Sequence, residues 1–185
     1  MTIEMQRRAL YIPPFHIDAN LINARQKLPA VNQLEKWAED GIICIDMSSV
    51  AREEARAGSN LNRTQKADVQ THTLTPPAEA NDRDYQQIEA AIFPEGAKDG
   101  NQQNDIKIVC EAKKYAAILV TADGGSKTQP GGILGNRDKL KSMLNILSPD
   151  EAIDFVRSKI QERDDFNIRF QKEFGGEVPD WTGSD

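Results

Sequence analysis

A chain of 185 residues with 38% hydrophobic content can build one compact domain around its own core. Its net charge of −6 argues against a protein that holds nucleic acid through bulk positive charge, although it does not exclude a nuclease whose carboxylates gather around divalent ions. Cys44 and Cys110 have no CxxC spacing, which argues against a disulfide framework or a zinc site, and both read as small reduced core residues.

Neither a signal peptide nor an apolar run of membrane length appears, so the reading is a soluble, cytoplasmic protein without a membrane partner. Residues 1–14 form a lead-in that Pro13-Pro14 holds extended. Phe15 to Asn20 reads as a short strand ending at Asp18. Leu21 to Asp40 follows as a helix bent or broken at Pro29, with Ile22, Leu34 and Trp37 on its apolar face and Gly41 as its stop. Ile42 to Ile45 is a second buried strand.

Ser48-Ser49 offers a cap for a helix over Val50 to Gly58, and residues 59–70 continue as a polar helix. Thr71 to Ala80 is a loop, and Asn81-Asp82 caps a helix from Tyr85 to Phe93. From Asp105 a helix-like stripe of Ile106, Val109, Cys110 and Ala112 leaves Lys107, Glu111, Lys113 and Lys114 outside it. Ala116 to Thr121 is an uninterrupted apolar run, as in a strand buried on both faces, and Asp123-Gly-Gly closes it.

Ser126 to Gly132 reads as a flexible loop bordering Asp123. Arg137 to Leu144 is helical and Ile146-Leu147 one more strand. Ser148-Pro-Asp-Glu151 is a capping box with proline at the first helical position, and residues from about 175 read as a flexible tail. Strands alternating with helices predict an α/β fold with a largely parallel sheet.

Four acids take comparable places: Asp18 and Asp123 at strand ends, Glu54 in a helix, and Asp105 at a helix start. Parallel strands bring their C-terminal ends to one sheet edge, where open α/β sheets hold ligands. Carboxylates gathered there repel one another unless they share protons or bind cations, and a histidine-free oxygen site suits Mg²⁺ or Mn²⁺. Each acid also has a plainer reading: Asp18 and Asp105 as helix caps, Asp123 as a turn former, Glu54 as a solvated helix residue.

Around these acids the chain resembles the PIN-domain family of metal-dependent nucleases, most of all the single-domain ribonuclease toxins of toxin–antitoxin pairs. Ile17-Asp18-Ala-Asn20-Leu-Ile22 is similar to the family's opening acid-x-Asn, and Met47 to Gly58 to its second motif, whose frame selects Glu54 over Glu53. Asp105 and Asp123 resemble its third and fourth acids at the usual separation (123 − 105 = 18), and Leu147 to Ala152 its closing strand and Pro-led helix. The match spans roughly residues 15–157, leaving 158–185 as a charged C-terminal extension.

The resemblance implies a three-layer α/β/α sandwich and an endoribonuclease whose metal-bound water cleaves RNA. It makes Asp18, Glu54, Asp105 and Asp123 the catalytic set and ligands of Mg²⁺ or Mn²⁺, with Asn20 and Thr121 in support. Its expected partners are an RNA substrate, an antitoxin and a second copy in a homodimer. The alternative is a PIN-like module without catalysis that binds or regulates. A receiver-type phospho-acceptor fits poorly, because no acid pair follows the first strand.

Other features carry less. His16 reads as a sheet-face residue rather than a catalyst, and His72 has no evident partner. Arg52, Arg56, Arg63, Lys66, Lys127, Arg137, Lys139 and Lys141 would suit an RNA path or an ordinary solvated surface equally well. Gly131-Gly132 lacks the Gly-Lys-Ser/Thr of a phosphate loop, and 6% aromatic content argues against a base-stacking platform.

Overall fold

Four short strands make the sheet: β1 (Phe15–Ile17), β2 (Ile45–Asp46), β3 (Ile118–Val120) and β4 (Ile146–Leu147), in the order β2-β1-β3-β4. The computed structural model describes residues 8–22, 28–57, 61–70, 77–125 and 130–185, so Gly58, His72 and Lys127 and the side chain of Arg63 lie outside the described residues. Every strand pair is parallel, with Phe15 opposite both Ile45 and Ile118, and Val120 opposite Leu147. β1 and β3 are central and every residue in them is buried, which is why β3 is a purely apolar run instead of an alternating pattern.

Nine helices surround the sheet among the described residues: α1 (Ala19–Ile22), α2 (Pro29–Glu39), α3 (Ser49–Arg56), α4 (Leu61–Gln70), α5 (Arg83–Ile92), α6 (Gly100–Lys114), α7 (Gly132–Gly135), α8 (Arg137–Leu140) and α9 (Pro149–Phe174). α2 packs on α9, while α3 and α5 pack on α6, which itself meets β3. The α/β fold and its parallel sheet are as the sequence predicts. Among the described residues no helix is long and apolar enough to cross a membrane.

Local signals act where expected. Pro29 breaks the predicted helix by starting a new one, α2, whose Val31, Leu34 and Trp37 are buried. The Ser48 hydroxyl accepts the Ala51 N–H at the start of α3, and Ser148 and Glu151 form the capping box of α9.

Several features differ from the sequence reading. The second strand lies at Ile45–Asp46, because Ile42 N–H bonds Trp37 O to close α2 and Ile42 O accepts Leu10 N–H instead. As β2 is an edge strand, Cys44 turns outward between buried Ile43 and Ile45 and is exposed, so only Cys110 is a core cysteine. Burial pushes the Cys110 thiol up to about 12.

The third difference concerns Asp105. Asp99 is the N-cap of α6, its carboxylate accepting the Gln102 N–H, so the helix begins before Asp105 and carries it in the second turn. The capping role considered for Asp105 therefore belongs to Asp99. The segment after residue 175, expected to be flexible, lies against α9: Arg163 stacks 4.4 Å from the Trp181 ring centroid, and both Arg8 and Arg163 bond the Asp185 carboxylate.

Candidate functional site

β1 delivers Asp18 to the C-terminal edge of the sheet, where its N–H bonds Val120 O at 3.0 Å and its side chain is 5% exposed. Its Oδ2 accepts the Thr121 hydroxyl at 2.7 Å and the Asn20 amide at 3.0 Å. Burial pushes the Asp18 carboxyl up and the Thr121 hydrogen bond opposes that, while the nearby Glu54 carboxylate raises it further. N–H groups of Asn20 and Ala19 also favour the charged form, so Asp18 joins a capping geometry to its place at the edge.

Glu54 projects from α3, half-buried, and its Oε1 accepts the Asn104 side-chain amide at 2.8 Å. Asp105 is the next residue on α6 and is half-buried too. A cavity of about 470 Å³ opens beside Glu54, with Ser49, Glu53, Pro77 and Asn104 among its lining residues.

Asp123 is placed differently. Thr121 links the two strand ends, since its hydroxyl donates to Asp18 and accepts the Asp123 N–H at 3.0 Å. The Asp123 carboxylate turns back into its own loop, Oδ1 accepting Gly125 N–H at 3.0 Å and Oδ2 accepting Ile133 N–H at 2.7 Å. Gly132 makes that approach possible, because a Cβ there would lie 2.4 Å from Asp123 Oδ2 on a backbone at φ +53°. Asn136 completes the loop by donating to Gly132 O at 2.8 Å. The described part of the loop is thus pinned, and residues 126–129 lie outside the described residues.

The donor set suits a hard divalent cation, since it consists of carboxylate oxygens with Thr and Asn in support. The arrangement does not: among the described residues no three His, Cys, Asp or Glu side chains form a group that could hold a metal ion. The fold couples Asp18 to Glu54 and links Asp18 to Asp123 through Thr121, without gathering all four acids at one point.

No family model and no curated protein matches the chain. One solved structure, titled as FitAB bound to the IR36 DNA fragment, is similar over 73% of this chain and 94% of its own, at 17% identity and a TM-score of 0.43. So distant a likeness leaves family and activity to be argued from the chain's own residues.

Two groups escaped the sequence reading. Glu111, expected outside the apolar stripe, is 1% exposed, and its carboxylate accepts Ser49 N–H at 2.8 Å and the Ser49 hydroxyl at 3.0 Å. Burial pushes it up against the opposing Ser49 bonds. Only the packing of α3 on α6 reveals this, because a glutamate is mostly exposed and nothing in the neighbouring sequence names Ser49 as its partner. The sequence assigns Asn104 no role, and it bears on Glu54 only through the same packing.

His16 sits on central β1, 1% exposed, with its ring 5.5 Å from that of Tyr115. Its Nδ1 and Nε2 have no hydrogen-bond partner among the described residues, and burial lowers its affinity for a proton although Asp46 lies 3.9 Å away. That placement agrees with the sheet-face reading.

Proposed function

We propose that the chain is a PIN-type endoribonuclease that hydrolyses RNA phosphodiester bonds at the sheet edge around Asp18. One observation carries the reading: a buried carboxylate at the C-terminal end of a central parallel strand, held by Thr121 and Asn20 and facing the charge of Glu54. The repulsion between these two charges would be relieved by a cation, although the described residues bring no three acids together to hold one. The resemblance names that cation as Mg²⁺ or Mn²⁺, adds Asp105 and Asp123 as ligands, and suggests the toxin of a toxin–antitoxin pair, with an antitoxin partner and a homodimer. When bound, the ion would supply an activated water at neutral pH and offset the charge developing on the phosphate.

The second reading, a PIN-like module without catalysis, draws on a specific observation: both Asp123 oxygens accept loop N–H groups, and no three acids meet in a metal-holding group among the described residues. RNA cleavage assayed with Mg²⁺ or Mn²⁺, and with EDTA, separates the two. The enzyme reading expects cleavage that EDTA stops and Asp18→Asn abolishes in a folded protein. Absence of cleavage by the wild-type chain under all these conditions leaves the module.

A further inference from the structure

The packing of α6 against α3 has a polar construction that the acid set alone does not explain. Asn104 and Glu111 stand two helical turns apart on α6 (111 − 104 = 7), about 10 Å along the axis. The first donates its amide to Glu54 Oε1 at 2.8 Å, and the second accepts the N–H and hydroxyl of Ser49 at 2.8 and 3.0 Å. Ser49 and Glu54 belong to one helix, so α6 grips α3 at two separated points. Ser49, Glu54 and Asn104 all line the 470 Å³ cavity, which places the grip in its wall.

A carboxylate buried to 1% exposure is a costly way to pack two helices, and an apolar side chain of similar size would do that task more cheaply. What the carboxylate adds is direction. Accepting from the first residue of α3 fixes that helix both along its axis and in rotation. Asn104 then selects among the rotamers open to the long Glu54 side chain, which packing alone leaves free on a half-buried helix face.

We propose that Asn104 and Glu111 are positioning residues, a two-point clamp through which α6 sets the Glu54 carboxylate against Asp18. The catalytic consequence rests on the ribonuclease reading above, whereas the clamp itself does not. A clamp of this kind acts as one unit with the group it holds, so its removal should be non-additive with removal of that group.

The test uses the full chain and two independent readouts. Asn104→Leu keeps the side chain's size and removes its hydrogen bond; it should lower kcat for RNA cleavage by about tenfold to a hundredfold and leave KM within about twofold, as loss of a group orienting a site residue does. In a Glu54→Gln background the same change should cost no further activity. Glu111→Gln, which retains an acceptor, should hold most of kcat, and Glu111→Leu should not. A rise in KM alone, or full additivity with Glu54→Gln, would overturn the proposal.

The second readout is a double-mutant cycle of Asn104→Leu and Glu54→Leu, which removes the acceptor as well, in chemical denaturation, and it needs no activity. The double variant should lose no more of the folding equilibrium constant than the worse single variant, and a loss equal to the product of the two single factors removes the clamp. A wild-type chain that cleaves no RNA overturns the ribonuclease reading and leaves the clamp to be decided by this cycle. Where Glu111→Leu fails to fold, the Asn104 variants carry both measurements.

Discussion

Asp18 and Asp123 end neighbouring parallel strands, share one threonine hydroxyl, and are nevertheless held by different kinds of group. The first is gripped mainly by side chains and faces another carboxylate across the edge. The second is closed over by backbone, with one N–H on each oxygen from the glycine-rich loop that follows it. A strand-end position therefore does not decide what an acid does; the chain that leaves the strand decides. After Asp18 a helix starts at once and leads away. After Asp123 the glycines let the loop return close enough to bond the carboxylate.

The largest expected effect tests the Asp18 side of this contrast. Asp18→Asn preserves shape and an acceptor for Thr121 while removing the charge opposite Glu54. RNA cleavage should fall by more than about a hundredfold, beyond what loss of an outer supporting group costs, with the far-UV spectrum and melting transition retained. Undiminished cleavage by this variant would sink the proposed site.

The Asp123 side should break through its backbone. Gly132→Ala puts a methyl group 2.4 Å from Asp123 Oδ2 and 2.5 Å from Gly125 N at φ +53°, so it forces the clasp open. Overpacking together with left-handed strain should cost about 2–4 kcal/mol in urea denaturation. A variant as stable as wild type would show that the loop is not held closed by this contact.

Asp123→Asn is milder, since the amide keeps one acceptor and loses the charge. The expected loss is about 1–2 kcal/mol, the range for hydrogen bonds to a charged group partly retained. Cleavage should stay within about tenfold of wild type if the carboxylate serves the loop, whereas loss as complete as that of Asp18→Asn would bring Asp123 into the site and collapse the contrast.

The smallest effect is a pH dependence on the Asp18 side of the molecule, where α3 is held by Glu111. Burial raises this carboxyl in the folded state above its ordinary 4.5, so the folded form binds its proton more tightly than the unfolded form. Its contribution to stability is complete below pH 4.5 and is lost as the pH rises through the raised folded value. Glu111→Gln should flatten the stability profile across that window, and an unchanged slope in the variant would show that Glu111 does not titrate there.

Much of this was legible because the signals are local. The apolar run from Ala116 to Thr121 marked a central strand, Pro29 a bend or break in a helix, and Ser148-Pro-Asp-Glu151 a capping box. Errors fell where a distant partner competed with a local pattern. Ile42 looked like strand and instead closes α2 through Trp37. Cys44 looked like core and lies on an edge, since strand order is not written in any one segment. Asp105 looked like a helix start because the polar residues before it hid the true cap at Asp99.

By itself the sequence determined the alternation of strands and helices, and with it the parallel sheet that brings Asp18 and the end of β3 to one edge. These follow from hydrophobic period, capping residues and turn glycines, each read within a few positions. Only the tertiary structure decided which groups meet at that edge. It sent the Asp123 carboxylate into its loop, buried Glu111 against Ser49 and put Asn104 on Glu54. A side chain's partner depends on how elements far apart in the chain pack, and composition and spacing do not encode that rotation and register.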